Sequence, residues 1–379
     1  MTTLTTSRRD TAHAPCARPP VVFTGLDGPS GGDVLDTWTT SRSDEAWARA
    51  VADRLGTDER AYVSLSFAPG GPAVAHRVAA RPVRVSGTAV PLADVPGAAA
   101  LRHDVVAVPD EATFAEHVRV ALDRIERGAL EKVVLGRCLD VVSEPPLDPA
   151  VVVARLLADP PGPHVFCLPL GDDVRGPLLL GASPELLVRR TGPEVRSTPL
   201  AGSAPRADDP RVDAERAEAL QDSAKDLAEH AFVVDAIRDV LGPLCVELHA
   251  DDRPHLVRTD TMWHLATPVV GRLAPGAPSA LALARMLHPT PAVGGVPTRA
   301  ALDTVDELEG DLRGHLAGSV GWVDGAGDGE FAVTIRAGVL HGARLRLFAG
   351  AGVVAGSDPG AEVRETRAKL STMARAVGL

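Results

Sequence analysis

The chain has 379 residues, more than one compact domain usually holds, so one large unit or two closely packed ones are expected. A hydrophobic content of 45% argues against disorder as the main state, and a formal charge of −11 argues against a nucleic-acid partner, whose phosphates need a positive field. With aromatic residues at 3%, platforms for stacking bases are not expected, and no segment is apolar for long enough to span a bilayer.

Residues 1–20 are rich in Thr, Pro and charge and are expected to form a loose tail. Arg8 and Arg9 follow a serine, but DTAHAPCARPP after them has no apolar core, so no twin-arginine export signal is expected. Cys16, Cys138, Cys167 and Cys245 fit neither a zinc spacing nor a disulfide framework, which makes a reducing cytoplasm the expected location. Residues 21–104 read as globular: VVFTG, a Gly/Pro/Ser turn region, a helical DEAWARAVADRLG and a strand-like AYVSLSF. They carry no catalytic cluster and are expected to complete the core of the same unit.

A helix is expected over 110–127, capped by Asp110, with Phe114, Val118, Leu122 and Ile125 as its apolar stripe and Gly128 as its stop. Strands follow at EKVVLGRCLDVV, HVFCLPL, PLLLGAS and ELLVRR, the last turning into EVRSTPLAG. One long helix is expected over 213–241, then a single strand at WHLATPVVGRL, a helix at SALALARML, the loop HPTPAVGGVP and another helix. The end reads as strands at GSVGWVD, EFAVTIRAG and ARLRLFAG, closed by a helix from Pro359. Helices and strands mix without strict alternation, so the class is α+β.

Several side chains stand where chemistry is feasible. Lys132 enters an apolar strand; such a lysine usually snorkels to water, but an enclosed one can act as a base. Glu185 lies between two strand-like runs, where most carboxylates are exposed; a buried one would hold its proton and serve as a general acid. Arg336 sits inside FAVTIRAG, either on the outer face of a half-buried strand or as a planar fork for a carboxylate. His264, in WHLATP, reads more readily as a satisfied core histidine than as a catalyst. In the closing helix Glu362, Glu365 and Lys369 share one face beside a glycine-rich turn. Paired carboxylates suit a hard cation, and the lysine and free amides suit the anion it would hold; the alternative is a solvated helix with an ordinary Glu–Lys pair.

Together KVVLGR, ASPELLVRR, STPLAGSAPR, KDLAEH, HLATP, LHPTPAVGG, GWVD, FAVTIRAG and RLFAGAGVVAGSDPGAEVRETRAKLSTM resemble, in order, the chorismate-utilising enzymes, the family of anthranilate, aminodeoxychorismate, salicylate and isochorismate synthases. The resemblance covers about residues 105–379, which it makes the chorismate-binding catalytic domain. It implies a large α+β fold, a β-sandwich-like core of two sheets flanked by helices, and Mg²⁺-dependent chemistry on chorismate. Carried over residue by residue, it implies Glu229, Glu362 and Glu365 as magnesium ligands. It implies Ala201, Gly202, His264, Arg336, Lys369 and the amides near Gly350 and Gly352 around the substrate.

The resemblance also bears on the reaction. Family members that use ammonia typically carry glutamine where this chain has Lys132, and aminodeoxychorismate synthases place a nucleophilic lysine where it has Ala201. Lys132 with Ala201 therefore looks like water chemistry, with Lys132 as base for attack at C2 and Glu185 as acid for the departing C4 hydroxyl. Closest in resemblance is isochorismate synthase of the siderophore or 2,3-dihydroxybenzoate type, a cytoplasmic monomer or homodimer linked in function to an isochorismatase. A salicylate synthase releasing pyruvate, an ammonia-using aminodeoxyisochorismate or anthranilate synthase, and an inactive chorismate-binding subunit are the alternatives. Pro205 departs from the usual PLAGSARR, and small Ala231 from the bulkier or polar residues common there.

Overall fold

The computed structural model describes residues 5–7, 21–79, 102–259 and 262–379. Among these, the strands form three sheets. The largest has ten strands in the spatial order Thr5–Ser7, Val34–Thr40, Ala73–Ala79, Glu59–Leu65, Ser319–Asp324, Gly329–Val333, Leu186–Thr191, Glu194–Thr198, Val269–Leu273, Cys245–Ala250. The second has nine: Gly295–Val296, Lys132–Glu144, Arg344–Val354, Ala337–His341, Leu178–Ser183, His164–Pro169, Val21–Gly25, Gly28–Gly32, and Arg102–Val108 paired to Lys132–Glu144. A three-stranded sheet joins Leu200–Pro205, Met262–Ala266 and His255–Arg258.

One buried cluster takes Phe23, Phe166 and Leu179 from the nine-stranded sheet and Tyr62, Val188 and Phe331 from the ten-stranded one, so the main core lies between the two. Leu180, the next residue along its strand from Leu179, belongs to a second cluster with Leu156, Leu370 and Met373. Successive strand residues face opposite ways. The continuous apolar run of LLLGAS is thus explained by a strand covered on both sides, the outer side by the helices Pro149–Ala158 and Pro359–Ala376.

The expected helix over 110–127 spans Glu111–Glu126, with the Asp110 carboxylate accepting from Thr113 N. The expected tail contributes Thr5–Ser7 to the edge of the largest sheet; residues 1–4 and 8–20, Cys16, Arg8 and Arg9 included, lie outside the described residues. Strands within 21–79 enter both large sheets, and 80–101 lie outside the described residues. No helix among the described residues is long and apolar enough to cross a membrane.

Four expected elements are broken, and the breaks build the site. The long helix divides into Pro210–Asp222 and Ala224–Leu241, because Ser223 leaves helical geometry and caps the second helix through Asp226 N at 3.2 Å. The expected strand WHLATPVVGRL divides at Thr267 and Pro268, the latter lacking a donor for a ladder. EVRSTPLAG divides at Pro199 into strands of two different sheets. EFAVTIRAG leaves the ten-stranded sheet after Val333 and enters the nine-stranded sheet at Ala337.

Candidate active site

Two of the crossings between sheets run side by side. Ser183 ends a strand of the nine-stranded sheet and Leu186 begins one of the ten-stranded sheet; Val333 and Ala337 make the return crossing. The crossings are tied by Val333 N donating to Glu185 O at 3.1 Å and Ala182 N donating to Arg336 O at 3.1 Å. Glu185 and Arg336 are thereby fixed as neighbours. Arg336 holds a φ of +51°, a conformation that bulky side chains rarely adopt and that neighbouring structure must enforce.

Both residues line a cavity together with Ala201, Gly202, His264, Glu229, Gly350, Gly352, Glu365 and Lys369. Lys132 and Glu362 stand behind the lining. Lys132 is fully buried, correcting the snorkelling alternative: its Nζ lies 2.9 Å from Glu229 Oε1, without a well-aligned hydrogen bond. Gly352 makes room for this pair, since a Cβ there would collide with the Glu229 carboxylate and lie 3.3 Å from Lys132 Cε. The carboxylate end can swing aside, but this leaves the buried Lys132 without its partner, so Gly352→Ala is expected to destabilise by about 1–3 kcal/mol. By displacing Glu229 from Lys132 it is expected to lower turnover at least about tenfold. Thermal unfolding read beside steady-state rates checks both.

The electrostatics divide the groups sharply. Burial pushes Glu185 up to about 7, against the lowering pull of Leu200 N–H, Lys132, Arg336 and Lys369. A carboxyl so placed keeps its proton in mildly acidic to neutral solution. Burial lowers Arg336 to about 10, which leaves it charged, and no carboxylate among the described residues lies within ion-pair distance of it. Burial, reinforced by Arg336 and Lys369, lowers His264 well below its ordinary value, so it is neutral; its Nε2 has no hydrogen-bond partner. It is therefore an unsatisfied imidazole at the cavity wall rather than a satisfied core histidine. His230, next to Glu229 in sequence, is the satisfied one, with ring nitrogens 3.2 Å from Ala201 O and 2.8 Å from Thr267 Oγ1.

The expected three-carboxylate cluster is not assembled. Among the described residues no three His, Cys, Asp or Glu side chains gather closely enough to hold a metal ion. Each carboxylate instead faces an ammonium, Glu229 with Lys132 at 2.9 Å, Glu362 with Lys225 at 3.1 Å and Glu365 with Lys369 at 2.6 Å. Ser203 Oγ also donates to Glu365 at 3.1 Å, and Lys369 Nζ to Gly350 O at 2.9 Å. Burial and then the charge of Glu365 raise Glu362. In Glu365 burial is outweighed by Lys369 and Ser203, which hold it low. Burial and then Glu229 and Glu365 raise Asp226. The carboxylates thus feel one another although each is separately paired.

Sequence reasoning missed Lys225, Asp226, Ser203 and Phe348, all on the cavity wall. Lys225 was within reach, four residues before Glu229 on one helix, but its partner Glu362 is 137 positions away.

Similar sequences and a similar fold occur among known proteins. Residues 92–378 match the model of the family described as chorismate binding enzyme. An isochorismate synthase of Bacillus subtilis is 46% identical over 275 residues, 72% of this chain and 69% of that protein. An isochorismate synthase of Escherichia coli is 45% identical over 273 residues, 72% of this chain and 69% of that protein. A crystal structure of a Bacillus anthracis chain assigned as a 2,3-dihydroxybenzoate-specific isochorismate synthase superposes with a TM-score of 0.85 at 35% identity, covering 95% of this chain and 96% of that one. A sandwich of two large sheets, crossed twice to set an acid beside an arginine, and a family match across the whole cavity lead to one assignment: this chain belongs to the chorismate binding enzymes.

Proposed function

We propose that the chain is an isochorismate synthase, an isomerase that moves the hydroxyl of chorismate from C4 to C2. The observation that carries this reading is a carboxyl raised to about 7 on the wall of a cavity, with an enclosed lysine just behind that wall. The similar chains of Bacillus subtilis and Escherichia coli, both isochorismate synthases, support it. Lys132 takes a proton from water as its oxygen attacks C2, the ring double bonds shift, and Glu185 gives its proton to the C4 hydroxyl, which leaves as water. Atoms balance, and the product is an isomer of the substrate. The Nζ of Lys132 stands 2.9 Å from Glu229 Oε1.

Arg336 and Lys369 would hold carboxylates of the substrate, and neutral His264 would offer its unpaired Nε2. Ala201 lines the cavity and offers no amine for covalent attachment. Glu362, buried and raised further by the charge of Glu365, would gain from a divalent counter-charge. Mg²⁺ held by Glu229, Glu362 and Glu365 would supply positive charge for the ring carboxylate. A downstream isochorismatase, leading toward 2,3-dihydroxybenzoate, is the enzyme class suited to the product.

Incubation with chorismate and Mg²⁺ is expected to yield isochorismate without pyruvate. EDTA is expected to reduce the rate at least about a hundredfold, with recovery on adding excess Mg²⁺. Pyruvate equal to the chorismate consumed would replace this reading by that of a salicylate synthase, and turnover indifferent to chelator would remove the metal from it.

A further inference from the structure

Arg313 lies outside the cavity and belongs to none of the roles above. It is 3% exposed, and its planar fork is almost fully used. Nε and Nη2 donate to the two oxygens of Glu309, each at 2.7 Å; Nη1 donates to Val293 O at 2.7 Å and Nη2 also to Val134 O at 2.7 Å. Glu309, whose side chain is fully enclosed, accepts from Gly136 N at 2.7 Å. The guanidinium stands over Phe67, 4.1 Å from its ring centre, and 5.5 Å from that of Phe348.

Three of the groups it holds, Val134, Val293 and Phe348, line the cavity. They come from three separate segments: the Lys132–Glu144 strand, the turn after the Ala280–Leu287 helix, and the Arg344–Val354 strand. Gly136 adds to this fit, since a Cβ there would run into the Phe348 ring. Val134 also stands two residues from Lys132.

We infer that Arg313 is a positioning residue: its fork fixes the separation of Val134 and Val293 and the seat of Phe348, and so sets where the substrate ring lies relative to Lys132. This rests on the reading that chorismate reacts in this cavity. An ammonium cannot replace it, because a point charge cannot bind two carbonyls and a bidentate carboxylate in one plane.

The geometry offers a direct test. Arg313 also lines a surface groove with Phe67, Pro72 and Asp306, the side from which a small cation would reach its place in an alanine variant. Arg313→Lys is expected to keep the secondary structure while kcat falls about 10- to 100-fold with KM within about threefold. Arg313→Ala is expected to lose kcat similarly and to regain it with millimolar guanidinium but not with methylammonium. Independently of turnover, amide hydrogen exchange in 132–137 and 289–297 is expected to quicken in Arg313→Lys, where Val134 N donates to Gly294 O at 2.8 Å.

Wild-type kcat in the lysine variant, rescue by methylammonium as good as by guanidinium, or unchanged exchange in both segments would each overturn the inference. A wild-type protein that makes no isochorismate, with the exchange result as expected, would instead remove the functional reading and leave the brace standing. If the alanine variant does not fold, the lysine variant and the exchange result decide.

Discussion

Glu185→Gln is expected to lower isochorismate formation by about 10²- to 10⁴-fold, the usual worth of a positioned proton donor. The amide has nearly the shape of the protonated carboxyl, so the crossing at Pro184 and the tie from Val333 N to Glu185 O stay intact. Substrate affinity should change little, because Arg336 and Lys369 are untouched. The wild-type kcat/KM is expected to fall as pH rises through about 7, where Glu185 loses the proton it must give.

The same residue has a stability signature that runs with pH in the same direction. Its folded value stands above the ordinary 4.5, so the folded state binds the proton more tightly than the unfolded state. The stabilisation is full below about 4.5 and is lost as pH rises through about 7. Ionising this carboxyl in place costs on the order of 3 kcal/mol. Glu185→Gln removes that cost, so above neutral pH the variant is expected to unfold no more easily than wild type. Denaturant titrations at acid and alkaline pH, beside rates, separate a lost acid from a lost fold. Unchanged turnover in a folded Glu185→Gln protein would assign the proton donor to another group.

What was legible in the sequence was local. The cap of the helix at Asp110, the apolar strands and the helix from Pro359 follow from residue type and period, and the structure has them nearly where expected. Glu185 was identifiable because a carboxylate between two strand-like runs must sit at a turn. Which sheet each run joins was not legible. EFAVTIRAG has unbroken strand propensity, and nothing local reveals that its first half pairs with Leu186–Thr191 and its second with Leu178–Ser183. The positive φ of Arg336 is imposed by that crossing, so reading the arginine as a residue within a strand was natural and wrong. Ser223 was another case: it caps the helix after it, but strong helix formers on both sides hide the break. The ammonium partners of the carboxylates were hidden because each ion pair except that within the last helix joins distant segments.

Lys132→Gln is expected to reduce isochorismate formation by about 10²- to 10⁴-fold as well, through loss of the group that accepts the water proton. A retained rate, within about threefold of wild type, would place water activation elsewhere. Its meaning depends on Glu229, which the substitution leaves without a counter-ion. Removing one partner of a buried pair typically costs about 3–5 kcal/mol, although a glutamine amide can still donate to the carboxylate and soften the loss. Reduced stability alone therefore does not identify a catalyst. The double substitution Lys132→Met with Glu229→Leu does separate the two roles. Apolar residues of similar volume in place of a buried ion pair are often neutral or stabilising, by up to about 4 kcal/mol. The doubly substituted protein is expected to be at least as resistant to urea as wild type and to make no isochorismate. That outcome would show the pair to be retained for its chemistry, at a cost in stability that only the reaction justifies.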